Sequence, residues 1–93
     1  MNLESMRHSI DNIDNALVAM LAERFKITDA VGHYKAKNRL PAKDEAREAQ
    51  QYERIAELAE QYALDPNFAK QFLEVIMKQS VENHLKIAEQ YKK

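Results

Sequence analysis

The sequence predicts an all-α fold: three helices per chain, the first long, wound with a second copy into an intertwined homodimeric helical bundle. Three observations predict it. Apolar residues recur at alternating three- and four-residue steps, the period of one helix face. One glycine and two prolines leave little material for β-hairpins or phosphate-cradling loops. The first apolar stripe is also longer than a compact globule of 93 residues. Residues 1–93 read as one domain, globular at 45% apolar and 31% charged.

The first helix is expected over Leu3–Asn38. Leu3, Met6, Ile10, Ile13, Leu17, Met20, Ile27 and Val31 form its stripe, with Arg24 standing in the one gap. At 1.5 Å per residue it is roughly 53 Å long. A compact chain of this size has a diameter of roughly 32 Å. The helix therefore outreaches its own globule, and its stripe stays wet unless a second chain covers it, which predicts an obligate homodimer. Pro41 closes this segment, because the residue before proline is pushed out of helical geometry. The second helix is expected from Asp44 or Glu45 to about Tyr62, in a run rich in Ala, Glu, Gln and Arg. The third starts at Leu64-Asp65-Pro66, with Asp65 as N-cap and Pro66 at the first helical position. Its apolar face continues through Phe68, Phe72, Leu73 and Ile76 past Leu85 toward Tyr91. There is no strand pattern or internal repeat.

Composition excludes several function classes. Fourteen basic against fifteen acidic residues give a net charge of −1, without the basic excess of a non-specific nucleic-acid binder. Absence of cysteine removes disulfides, thiolate chemistry and cysteine–metal sites. No window approaches a membrane span, and Met1–His8 lacks the apolar core of a signal peptide, so a cytoplasmic location is expected.

The informative residues are polar ones on otherwise apolar faces. Arg24 sits on the inward seam of the first helix, with Arg7 and Lys35 edging the same face near its two ends. An inward arginine is costly unless it is paired or binds an anion. In the second helix Asp44, Arg47, Glu48, Gln51, Ile55, Leu58 and Tyr62 share one face, so two carboxylates and a guanidinium point inward. In the third, Ser80 and His84 stand between Ile76 and Ile87. Such interruptions can converge on one interior cavity. Arg7, Arg24, Lys35 and Arg47 against Asp44 and Glu48 leave two positive charges in surplus, a match for a small dicarboxylate. Ser80 and His84 lack an orienting acid, and His8, His33 and His84 lack metal-ligand spacing. The pattern binds and polarises, with no metal, cofactor or covalent intermediate expected.

The same residues resemble the all-helical (AroQ-type) chorismate mutases. The resemblance rests on Met6-Arg7, Ile10-Asp11 and Ile13-Asp14, then Leu21-Ala22-Glu23-Arg24 and Val31-Gly32-His33-Tyr34-Lys35. Asp44-Glu45-Ala46-Arg47-Glu48, Val75-Ile76-Met77 and Ser80-Val81 complete it, in order and over nearly the whole chain. It implies an intertwined dimer that converts chorismate to prephenate by a cofactor-free Claisen rearrangement. It further implies that Arg24 grips one substrate carboxylate and Arg7, donated across the dimer, the other. Lys35 would hydrogen-bond the ether oxygen, and Glu48 the substrate hydroxyl, helped by the backbone near Asp44. Arg47 and Ser80 match supporting positions. One position departs: the family commonly has glutamine, a second donor to the ether oxygen, where this chain has His84. A protonated histidine donates from both ring nitrogens and adds positive charge there. On the same fold, an isochorismate pyruvate lyase or an aminodeoxychorismate mutase is the nearest alternative. The intact Asp44, Arg47, Glu48 cluster favours the mutase. A non-enzymatic helical dimerisation or regulatory module is the alternative of a different class.

Overall fold

The computed structural model describes residues 2–92. Three helices follow one another: α1 (Leu3–Lys37), α2 (Glu45–Gln61) and α3 (Pro66–Glu89), with no strand among the described residues. Each start is explained by its cap. Asn2 and Ser5 form a reciprocal capping box on α1, Asp44 caps α2 by accepting from Arg47 N, and Asp65 with Pro66 opens α3.

The ends differ slightly from the sequence expectation. α1 stops one residue before Asn38 and α2 one before Tyr62. Both stops are made in the same way. Leu40 N donates to Lys35 O and Leu64 N to Ala59 O, each at 2.8 Å. Arg39 N reaches Ala36 O and Ala63 N reaches Glu60 O. These paired bonds satisfy the last carbonyls and turn the chain through a left-handed residue. That residue is Arg39 (φ 56°) in one case and Ala63 (φ 57°) in the other. α3 ends at Glu89, short of Tyr91, which lies in a closing turn where His33 Nδ1 and the Tyr91 hydroxyl meet at 2.7 Å.

α3 is the central element. It packs against α1 on one side and α2 on the other, while α1 and α2 do not pack on each other. Its inward stripe supplies Ala69, Leu73, Ile76, Met77, Ser80, His84 and Ile87 to the core, to which α2 adds Ala59. Close approach to α1 requires Gly32: a Cβ there would lie 2.8 Å from His84 Cδ2 and 3.1 Å from Ile87 Cδ1.

The N-terminal half of α1 is exposed along its whole length. Every described residue before Leu21 is exposed, including Ile10, Ile13, Leu17 and Met20. Phe68 and Phe72, which the α3 pattern directs inward, also lie on the surface, stacked on each other. The molecule spans 59 × 25 × 14 Å with a radius of gyration of 16.7 Å. A compact chain of 93 residues would have about 12 Å.

Candidate functional site

One cavity of about 330 Å³ opens where the C-terminal half of α1, the α1–α2 connection, the start of α2 and the middle of α3 face one another. Helical spacing delivers its lining. α1 contributes Arg24, Ile27, Thr28, Val31 and Lys35, at steps that keep one face. The first turns of α2 contribute Arg47, Glu48 and Gln51, and α3 contributes Met77, Ser80, Val81 and His84. Ala42 and Asp44 close the rim from the connection.

Seven of the eight residues singled out from sequence therefore line one cavity: Arg24, Lys35, Asp44, Arg47, Glu48, Ser80 and His84. Arg7 does not. It lies on the exposed part of α1, seventeen residues before Arg24, or about 25 Å of helix. The cavity of one chain thus holds three cations and two carboxylates, a surplus of one positive charge rather than two.

Neither Arg24 nor Lys35 forms an ion pair among the described residues. Arg24 is half-buried with its charge unmatched, the arrangement that suits an anionic ligand. Arg47 donates from Nη1 to Gln50 Oε1 at 2.7 Å. Asp44 Oδ1 accepts from Arg47 N at 3.0 Å, so this carboxylate also starts α2. Glu48, half-buried, lies 3.8 Å from Lys43 Nζ. Ser80 is buried and its hydroxyl donates back to Ile76 O at 3.1 Å. Lys35 Nζ donates to Ala42 O at 3.2 Å.

His84 is buried between two main-chain oxygens. Its Nε2 lies 2.8 Å from Thr28 O and its Nδ1 3.3 Å from Ala42 O. A carbonyl only accepts, so both contacts are hydrogen bonds only when both ring nitrogens carry protons. The neutral ring can satisfy one of them.

Some lining residues escape a sequence reading. Ile27 and Val31 belong to the α1 stripe, which reads as core and dimer seam, yet both form the apolar wall of the cavity with Met77 and Val81. Ala42 and Thr28 take part through main-chain oxygens, for which side-chain type is no signal. Behind α2, Tyr52 faces Glu74 and Glu48. Burial first, then those two negative charges, raise its phenol above the ordinary value of 10.0. Among the described residues no group of histidine, aspartate and glutamate side chains is placed to hold a metal ion. Among the described residues no helix is long and apolar enough to cross a membrane.

The family model described as chorismate mutase type II matches residues 6–85. The chain is 28% identical over 89 residues to a chorismate mutase of Methanocaldococcus jannaschii, covering 96% of this chain and 86% of that protein. It is 30% identical over 90 residues to a bifunctional chorismate mutase/prephenate dehydratase of Buchnera aphidicola subsp. Schizaphis graminum, covering 97% of this chain. The corresponding bifunctional protein of Escherichia coli K12 is 29% identical over 89 residues. This chain spans 23% of the length of each of these two bifunctional relatives.

Proposed function

The chain belongs to the chorismate mutase type II family, and from that membership and the lining of its cavity we propose that it converts chorismate to prephenate. The observation that carries the reading is the convergence of Arg24, Lys35, Arg47, Glu48, Ser80 and His84, from three helices, on one cavity. The substrate is a dicarboxylate, and the cavity offers it unmatched positive charge beside an apolar wall.

The reaction breaks one C–O bond and forms one C–C bond within one molecule. No atom enters or leaves, so no nucleophile or redox group is required. Two tasks remain. The flexible dianion must be folded into a compact reactive shape, an entropic task served by Arg24 gripping one carboxylate. Charge developing on the ether oxygen must then meet preorganised donors, the task of Lys35 and His84. Glu48 accepts the substrate hydroxyl, while Asp44, Arg47 and Ser80 fix the ring and carboxylate around it.

The active unit in this reading is a homodimer. Its support is the α1 stripe, where Ile13 (65% exposed) and Met20 (68% exposed) lie on a helix that its own chain leaves uncovered. Arg7 on that uncovered half would enter the partner's cavity and raise the local surplus to two positive charges. This division of labour calls for neither a metal nor a cofactor.

Parallel incubation with chorismate, isochorismate and 4-amino-4-deoxychorismate, with products identified by NMR, tests the assignment. Prephenate from chorismate alone is expected. Pyruvate release from isochorismate would instead make the chain a lyase on the same fold. Conversion of none would make it a helical dimerisation module.

A further inference from the structure

Two groups assigned above to the substrate already face one acceptor inside the protein, Lys35 as a donor and His84 as a second donor when its Nδ1 carries a proton. Lys35 Nζ donates to Ala42 O at 3.2 Å, and His84 Nδ1 lies 3.3 Å from the same oxygen. One carbonyl has two lone pairs and can serve both. The segment that carries it is lightly held. Pro41 has no N–H, and none of the main-chain groups of Pro41, Ala42 and Lys43 takes part in a main-chain hydrogen bond among the described residues. The Ala42 carbonyl is thus held to the helices by Lys35, and by His84 when its Nδ1 carries a proton, while Lys43 Nζ lies 3.8 Å from Glu48. Lys35, Ala42 and His84 all line the cavity.

We propose that the Ala42 carbonyl is an internal competitor for the substrate's acceptor oxygen: a ligand oxygen that engages Lys35 and His84 takes them from Ala42, and the Ala42 carbonyl is released as it binds. The inference rests on Lys35 and His84 being the donors to that oxygen. It has a consequence for specificity. A site whose buried donors have no other partner rejects an analogue lacking the matching oxygen by about 10⁴–10⁵-fold, because those donors are left unpaired. Here the donors fall back on Ala42. The exchange keeps the same donors and changes only their acceptor, so discrimination is reduced to the difference between the two acceptors and is expected to stay within about a hundredfold.

The test uses two bicyclic dicarboxylates shaped like the rearranging substrate, one bridged by oxygen and one by a methylene. The ¹³C shift of the Ala42 carbonyl in the whole protein reports its hydrogen bonding, and the Arg24 amide reports occupancy. The reference is Lys35→Met without ligand, which moves the Ala42 signal upfield if the contact exists in solution. The oxygen-bridged compound is expected to move it the same way in the wild type. The methylene compound is expected to perturb Arg24, leave Ala42 in place, and bind within about a hundredfold of its partner. Binding of the oxygen-bridged compound with an unmoved Ala42 signal overturns the proposal and leaves the function standing, as does discrimination near 10⁴-fold. Failure of both compounds to bind overturns the functional assignment and, with it, this inference. Lack of response to Lys35→Met shows that the contact is not present in solution and overturns the inference alone.

Discussion

Arg7 offers the sharpest test of how the catalytic unit is built. It precedes Arg24 by seventeen residues on one continuous helix, about 25 Å of rise, and it lies outside the cavity of its own chain. If it contacts substrate, it does so in the partner's cavity. Two single variants make this measurable. Lys35→Ala removes one preorganised donor and is expected to lower kcat by about 10²–10³-fold. Arg7→Ala removes a charged hydrogen bond to a carboxylate, about 1.5–3 kcal/mol, and is expected to lower kcat/KM roughly ten- to a hundredfold. Random exchange of subunits from an equal mixture makes half of the dimers mixed. In each mixed dimer, the cavity that keeps Lys35 receives Arg7 from the other chain and is intact, while the second cavity lacks both. About a quarter of all sites are then wild type, so the mixture should recover about 25% of wild-type activity from two nearly inactive parents. Lys35→Ala mixed with Glu48→Ala is the control. Both positions line the same cavity, so no mixed dimer contains an intact site and no recovery is expected. A mixture of the Arg7 and Lys35 variants that stays at the average of its parents refutes the shared site.

Other expectations follow from single contacts. Two carbonyls face the ring nitrogens of His84, so His84→Ala, which removes one preorganised donor, should lower kcat by about 10²–10³-fold. His84→Gln, which keeps a donor at that position, should retain more turnover than His84→Ala, and equal loss in the two variants would remove the donor role. Gly32→Ala would place a methyl 2.8 Å from a His84 ring held at both nitrogens. Overpacking of about 1–3 kcal/mol outweighs the helix-propensity gain of about 0.5–1 kcal/mol, so thermal denaturation should show a lower Tm. An unchanged or raised Tm would mean that α3 can back away from α1. The raised Tyr52 phenol is neutral in the folded chain, so its stability contribution is whole below pH 10 and is lost as pH rises through its folded-state titration. With the other tyrosines replaced by phenylalanine, Glu74→Gln should lower the phenolate absorbance midpoint; no change would remove Glu74 as a cause.

Much of this architecture is legible from side-chain period. A step of three or four residues fixes which helix face a residue occupies, so Arg24, Glu48, Ser80 and His84 could be placed on inward faces and Lys35 at the edge of one, while Arg47, expected inward too, lines the cavity from an exposed position. Charge on those faces pointed to an anion. Three features were not legible, each for a physical reason. The Ala42 and Thr28 contacts run through main-chain oxygens, which depend on the path of the backbone. The helix stops use Arg39 and Ala63 in left-handed geometry, where a glycine signal would ordinarily mark the end, so Pro41 and Tyr62 drew the expected boundaries slightly too far. The exposure of Phe68 and Phe72 cannot be read from a pattern that states only that a face is apolar. It does not say whether the same chain or another covers that face.

The central claim is that this cavity rearranges chorismate by positioning and electrostatics alone. The most direct measurement follows chorismate and prephenate together by NMR, with purified wild-type protein and Arg24→Ala, in the presence of a metal chelator and without added cofactor. Stoichiometric conversion to prephenate by the wild type, strongly slowed in Arg24→Ala, is the predicted result. Chorismate that decays no faster than in buffer, or equal rates for the two proteins, would contradict the account.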